Sequence, residues 1–228
     1  MRGDWIGSAG GAGGGSRQAA PLLLILVFGV LVGCTQLPET RYYVLEIDRA
    51  GAAAAAGTDA VPASASGAAA PLAIGVRPFL VDPPYDQERI VYRVGERSPE
   101  VGFYAYHLWA APLSAMLPTA VAAGLSGAAG VHDIEPVASG RRYDAHLLGR
   151  VLAVEEIDLD DRQLVRTAIE LRLVAPDGAE LWTDVIDARG ETRTGDVGQI
   201  VEAIGRALEG ALGAARERLG RAVAGLAR

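Results

Sequence analysis

The 228-residue chain contains no lysine, no asparagine, one cysteine and three histidines. Its 21 basic residues are therefore all arginine, a chain-wide bias that singles out no site. One cysteine leaves no partner for an internal disulfide, so the fold must be held by packing. His107, His132 and His146 stand apart, with no H-E-x-x-H pair, which argues against a metal centre. No serine or threonine sits in a nucleophile elbow. The nearest approach, Gly124-Leu125-Ser126-Gly127, has the wrong spacing and follows a helical pattern instead of a strand. These absences indicate no enzyme, no cofactor and no metal. A formal charge of −7 disfavours nucleic acid as a partner.

A membrane-spanning run is also missing. The longest apolar stretch, Leu22 to Gly33, would reach about 18 Å as a helix against a hydrocarbon core of roughly 30 Å. Its size suits a signal-peptide core. Arg2 and Arg17 precede it, only Asp4 opposes them, and it ends in Leu31-Val32-Gly33-Cys34. That ending resembles a bacterial lipobox, in which the cysteine is acylated and becomes the mature N-terminus. Two or more acyl chains anchor durably where one does not. The alternative for Cys34 is a small buried hydrophobe at a helix end. Thr35, where an aspartate would signal inner-membrane retention, resembles the outer-membrane default. The expected organisation is a lipoprotein signal peptide over 1–33, a tether over 34–40 and one domain over 41–228. Within that domain, 49–71 form an Ala-rich low-complexity insertion. The Gly-rich run near the start lacks the spacing of a phosphate loop.

The domain's pattern predicts an α+β fold, a mostly antiparallel sheet built as a meander of hairpins with two main helices on one face. Strands are expected at Arg41–Ile47, with Tyr43, Leu45 and Ile47 on one side, and at Leu72–Phe79, Ile90–Val94 and His132–Val137. Val81–Tyr85 reads as a proline-stiffened turn, and Val101–Tyr106 either extends the sheet or leads into a helix. Apolar residues from Leu108 to Leu125 predict a helix over His107–Leu125, kinked at Pro118. The clearest β signal is the succession Tyr143–Ile157, Gln163–Val174 and Ala179–Ala188, with Asp177-Gly178 as a tight turn. A long stripe from Val197 to Leu226, N-capped by Asp196, predicts the second helix, lying across the sheet beside the first.

Two groups of side chains invite a functional reading. Glu155, Glu156, Asp158, Asp160 and Asp161 are acidic enough to attract calcium, yet match no EF-hand loop, and a solvated hairpin tip is the simpler reading. Tyr85, Tyr92 and Trp109, within an aromatic-rich first half, are either sheet core and edge or a surface facing lipid or a partner.

The order of motifs after Cys34 is R-Y-Y-x-L at Arg41, I-G-V-x-P-F at Ile74, P-P-Y-D-Q-x-R-I-V-Y-R at Pro83 and H-x-W-A-A-P-L at His107. Together they resemble the ABC-type transport auxiliary lipoprotein family, the PqiC-like proteins. The resemblance covers most of the mature chain and implies an α+β domain with a tryptophan-led helix at Trp109. It further implies an anchor through acylated Cys34 at the periplasmic face of the outer membrane, in preference to the inner. Service to an ABC or MCE-type system moving lipids follows, with a permease or MCE-domain protein as partner and no catalytic residues. Lipid binding and self-association stay open, as does the alternative of a free-standing lipid carrier. The chain departs from the family pattern by its Ala-rich insertion and long leader.

Overall fold

The structure, a computed structural model, describes residues 38–47, 70–192 and 195–226. The expected signal peptide, Cys34, Thr35 and residues 48–69 of the insertion lie outside the described residues. The elements in chain order are β1 (Arg41–Tyr43), β2 (Leu72–Val76), β3 (Leu80–Val81), β4 (Arg89–Val94), β5 (Val101–Trp109), α1 (Leu113–Leu125), β6 (Val131–Pro136), β7 (Ala145–Asp158), β8 (Gln163–Val174), β9 (Glu180–Thr192) and α2 (Val197–Leu226). The fold is α+β, with two helices and a large, mostly antiparallel nine-stranded sheet.

β7 is the axis of that sheet. Fourteen residues at roughly 3.3 Å each make a strand some 46 Å long, and both of its edges are paired. On one edge β8 and then β9 add antiparallel ladders, the expected meander. The other edge is covered in succession by three short parallel strands. β2 pairs with 145–147, β3 with 150–151 and β4 with 155–158. β6 extends the sheet beyond β2, while β5 and β1 extend it beyond β4. Between Val151 and Ala153 the β7–β8 register shifts by one residue, so Leu152 forms a β-bulge. The bulge inverts the alternation. Leu147, Gly149 and Val151 face the helices before it, and Val154 and Glu156 do so after it.

Both helices lie on that one face. α2 buries Ile200, Ile204, Leu208, Leu212, Ala215 and Leu219 against β8, β9 and α1 at spacings of three and four. Asp196 caps it as expected, its Oδ1 accepting the Gln199 N–H at 3.1 Å. The helices meet where Gly124 of α1 admits the Leu212 side chain; a Cβ there would come within 2.6 Å of Leu212 Cδ1.

Two expectations change, and α1 is continuous past the Pro118 at which a kink is expected. The first strand pairs only through Tyr43, although Leu45 is buried and Val44 exposed as its alternation requires. His107 to Trp109 end β5 instead of opening a helix, so the tryptophan-led helix is corrected. α1 begins after Pro112, whose ψ of 139° is extended, and the apolar pattern upstream belongs to a strand. Finally, α1 runs on through Pro118. Proline removes the N–H that would bond to the Ser114 carbonyl, and that carbonyl instead accepts the Phe79 N–H at 3.2 Å. The freed acceptor thus ties α1 to the segment between β2 and β3.

Gly149 of β7 lies directly beneath the Phe79 ring, where a Cβ would stand 2.4 Å from Phe79 Cδ1. Gly149→Ala is expected to cost about 1–3 kcal/mol by overpacking a buried ring, read as a lower urea midpoint at unchanged slope.

Candidate functional site

The long strand carries two adjacent carboxylates, Glu155 and Glu156, each 2% exposed. Adjacent strand residues point to opposite faces, and the register shows which. Glu155 is level with Arg166 of β8 and, through it, with Arg189 of β9, on the face away from the helices. Glu156 is level with Val165 and Gly190 on the helix side, where a Cβ on Gly190 would touch Ala207 at 3.2 Å. The hairpin-tip reading is therefore corrected for these two. Flanking elements cover both faces of β7 at this end, and only Asp160 and Asp161 remain exposed.

Each carboxylate has a different partner. Glu155 Oε2 accepts the Tyr85 hydroxyl at 2.8 Å and Arg93 Nη2 and Nε at 2.9 and 3.2 Å. Burial, reinforced by Glu155, pushes the Tyr85 hydroxyl up to about 12, so it stays a donor. Beside this group Arg166 grips Asp187 at 3.0 and 3.3 Å. Burial alone would raise the Asp187 carboxyl, but the hydrogen bond and charge of Arg166, joined by Arg189, hold it below its ordinary value. Among the described residues Glu156 is bonded only by the Tyr104 hydroxyl, at 2.6 Å. Burial raises its carboxyl above the usual range, outweighing the Tyr104 bond, and Asp158 adds to the rise. Tyr104 in turn packs against Tyr92 at 5.1 Å and His107 at 5.5 Å, and His107 Nδ1 lies 2.7 Å from the Tyr43 hydroxyl. The pair is thus divided between an ion-paired group and an aromatic group, with both carboxylates engaged in structural bonds.

Among the residues proposed from sequence, Tyr85 is 6% and Trp109 3% exposed, so both are core and neither presents a ring outward. Tyr85 is drawn inside by the need to satisfy Glu155, and Trp109 by its place where β5 meets β1. Tyr92 is half-buried against Tyr104. The outward aromatics are instead Tyr42 and Phe103. Ser126 is exposed at the end of α1, His132 is exposed on β6, and His146 packs edge-on to Tyr143. Among the described residues no three His, Cys, Asp or Glu side chains gather as a metal site, and no helix is long and apolar enough to cross a membrane. Cys34 lies outside them.

The concave feature that sequence reading missed is an apolar groove of about 490 Å3 between the segment Val44–Ile47 and α1. Ala115, Thr119 and Ala123 recur every four residues along its helical wall, and Ala111 precedes them by the same interval just before the helix. That period was visible in the sequence, hidden among the alanines.

Removing Arg93 strands a buried carboxylate. Arg93→Ala is expected to cost about 3–5 kcal/mol, against about 1–3 kcal/mol for Tyr85→Phe, measured by equilibrium unfolding. Glu156 gives a pH signature. Its folded form holds the proton more tightly than the unfolded chain does, so stability falls as pH rises from the ordinary carboxyl range through the raised value. Glu156→Gln should lose that slope and gain stability relative to the parent as pH increases from about 4 to neutral. Parallel pH profiles for parent and variant would contradict this.

A Xanthomonas campestris crystal structure of the DUF330 family superposes with a TM-score of 0.60 at 14% identity, covering 80% of this chain and 96% of that one. A Caulobacter crescentus structure described as a putative lipoprotein gives 0.33 at 18% identity over 47% and 80%, too slight to bear on the fold. No curated protein matches at a significant level. The family described as the ABC-type transport auxiliary lipoprotein component matches residues 57–214, more than half of the sequence. The chain belongs to the ABC-type transport auxiliary lipoprotein family.

Proposed function

We propose that this protein is a non-enzymatic accessory lipoprotein of an ABC/MCE-type transport system, acting in lipid movement between membranes. In this reading acylated Cys34 holds it at the periplasmic face of the outer membrane, and the domain docks a permease or an MCE-domain protein. The observation that carries the proposal is the family match over 57–214, which takes in the whole meander and more than half of α2. The geometry is compatible with it. The buried carboxylates are consumed by Tyr85, Arg93 and Tyr104, which leaves a preorganised body suited to presenting surfaces. The order Leu31-Val32-Gly33-Cys34 supports the anchor, and Thr35 supports the outer-membrane destination.

Metabolic labelling with an alkyne fatty acid is expected to mark the parent protein and not Cys34→Ser, and the variant should leave the membrane fraction. An unmodified thiol on a chain that keeps its leader would overturn the anchor. Affinity capture of the labelled protein from detergent-solubilised membranes should recover a permease or MCE-domain protein, and recovery of neither would overturn the docking role.

A further inference from the structure

The groove beside α1 is built into the fold. Its outer wall is the segment Val44–Ile47, which follows β1 and is seated on α2. The Glu46 carbonyl lies so close to Gly205 that a Cβ there would come within 2.8 Å of it. Leu45 is 6% exposed, so this wall is anchored by its own core residue, while Val44 is left 55% exposed at the lip. The opposite wall is α1. Its core side carries Leu113, Leu117, Val121 and Leu125, and its groove side carries Ala115, Thr119 and Ala123 with Met116 and Ala120, while Ala111 lines the groove from the segment just before the helix. Small residues on the groove side leave the space between the walls unfilled. At about 490 Å3 it falls within the roughly 300–1,000 Å3 typical of small-molecule sites. The lining is apolar, and its one charged side chain is Glu46, exposed at the mouth.

Position supplies the occupant. Nine residues lie between Cys34 and Val44, and a fully extended chain over those ten steps reaches at most about 36 Å. If Cys34 is acylated, the groove cannot stand farther from the lipid surface than that reach. A carboxylate at its mouth disfavours an anionic headgroup. We propose that the groove between Val44–Ile47 and α1 holds an acyl chain of a zwitterionic membrane phospholipid. This rests on the lipoprotein reading above and names the ligand that reading lacks.

The test uses the full acylated chain in vesicles of phosphatidylethanolamine and phosphatidylcholine that contain a phosphatidylcholine with a diazirine in its acyl chain. After illumination, mass spectrometry should place cross-links in the peptides carrying Val44–Ile47 and Ala111–Ala123. Ala115 and Thr119 are exposed, so Ala115→Trp and Thr119→Asp should leave thermal unfolding unchanged. Filling or charging the groove should cut cross-linking by about tenfold, equivalent to ~1.4 kcal/mol of affinity. Cross-linking that ignores both variants would overturn the proposal. So would labelling that appears only once residues 48–69 are deleted, since the occupant would then be this chain itself. A second arm separates this proposal from the anchor. Cys34→Ser protein in solution is illuminated with a diazirine-bearing lysophosphatidylcholine. If the anchor fails and the groove is right, the same peptides are labelled and Ala115→Trp still removes the label. If the groove is wrong, this arm shows no difference, whatever the mass of the parent's N-terminus.

Discussion

The structure depends on a strand that is buried along both edges. A free edge on β7 would expose its unpaired amides and carbonyls, a template for association with another chain. Here β8 closes one edge for nearly the whole length, and β2, β3 and β4 close the other in chain order. All three run parallel to β7 at successively later positions along it, so the chain follows that edge in one direction and needs no return between them. Pro78 lies in the break between β2 and β3, and Pro83–Pro84 lie in the break between β3 and β4. Much of the irregular first half of the chain serves as scaffolding for one edge.

Double burial also explains the carboxylates. Over 153–157 every residue of the strand is buried, so no wet side is left for a polar residue there and Glu155 and Glu156 must find partners inside. One meets a guanidinium and a phenol, the other a phenol alone. The aromatics of the first half are recruited into this work. Tyr85 and Tyr104 donate hydroxyls, Tyr92 and His107 pack behind Tyr104, and Tyr43 connects that group to β1. An aromatic-rich sequence thus yields a satisfied interior more than an adhesive surface.

What the sequence made legible follows the same physics. The β7–β8–β9 meander and α2 are long, periodic and capped by local chemistry, and Asp177-Gly178 and Asp196 act where they stand. The boundary before α1 was misread because Leu108, Trp109 and Leu113 happen to fall at helical spacing while the first two belong to a strand. The parallel pairings were illegible, since the residues that meet lie far apart in the chain, as Ile74 and Ala145 do. The acidic run misled because charge density suggests solvent, and only the tertiary cover over β7 overrides that. Position 34 lies outside the described residues, and its signal is carried by sequence order alone. The groove could not be read at all, because it is formed by what the alanines of α1 leave empty.

The bulge at Leu152 carries a consequence of its own. Were the strand to pair without the bulge while keeping all its residues, every side chain beyond it would rotate to the opposite side of the sheet, and Glu155 and Glu156 would exchange environments with no change in composition. Deleting Leu152 would instead remove the bulge and leave both acids in place, because Val151 and Val154 would then stand two residues apart on one face. The roles of these two identical side chains are thus assigned by counting along the backbone.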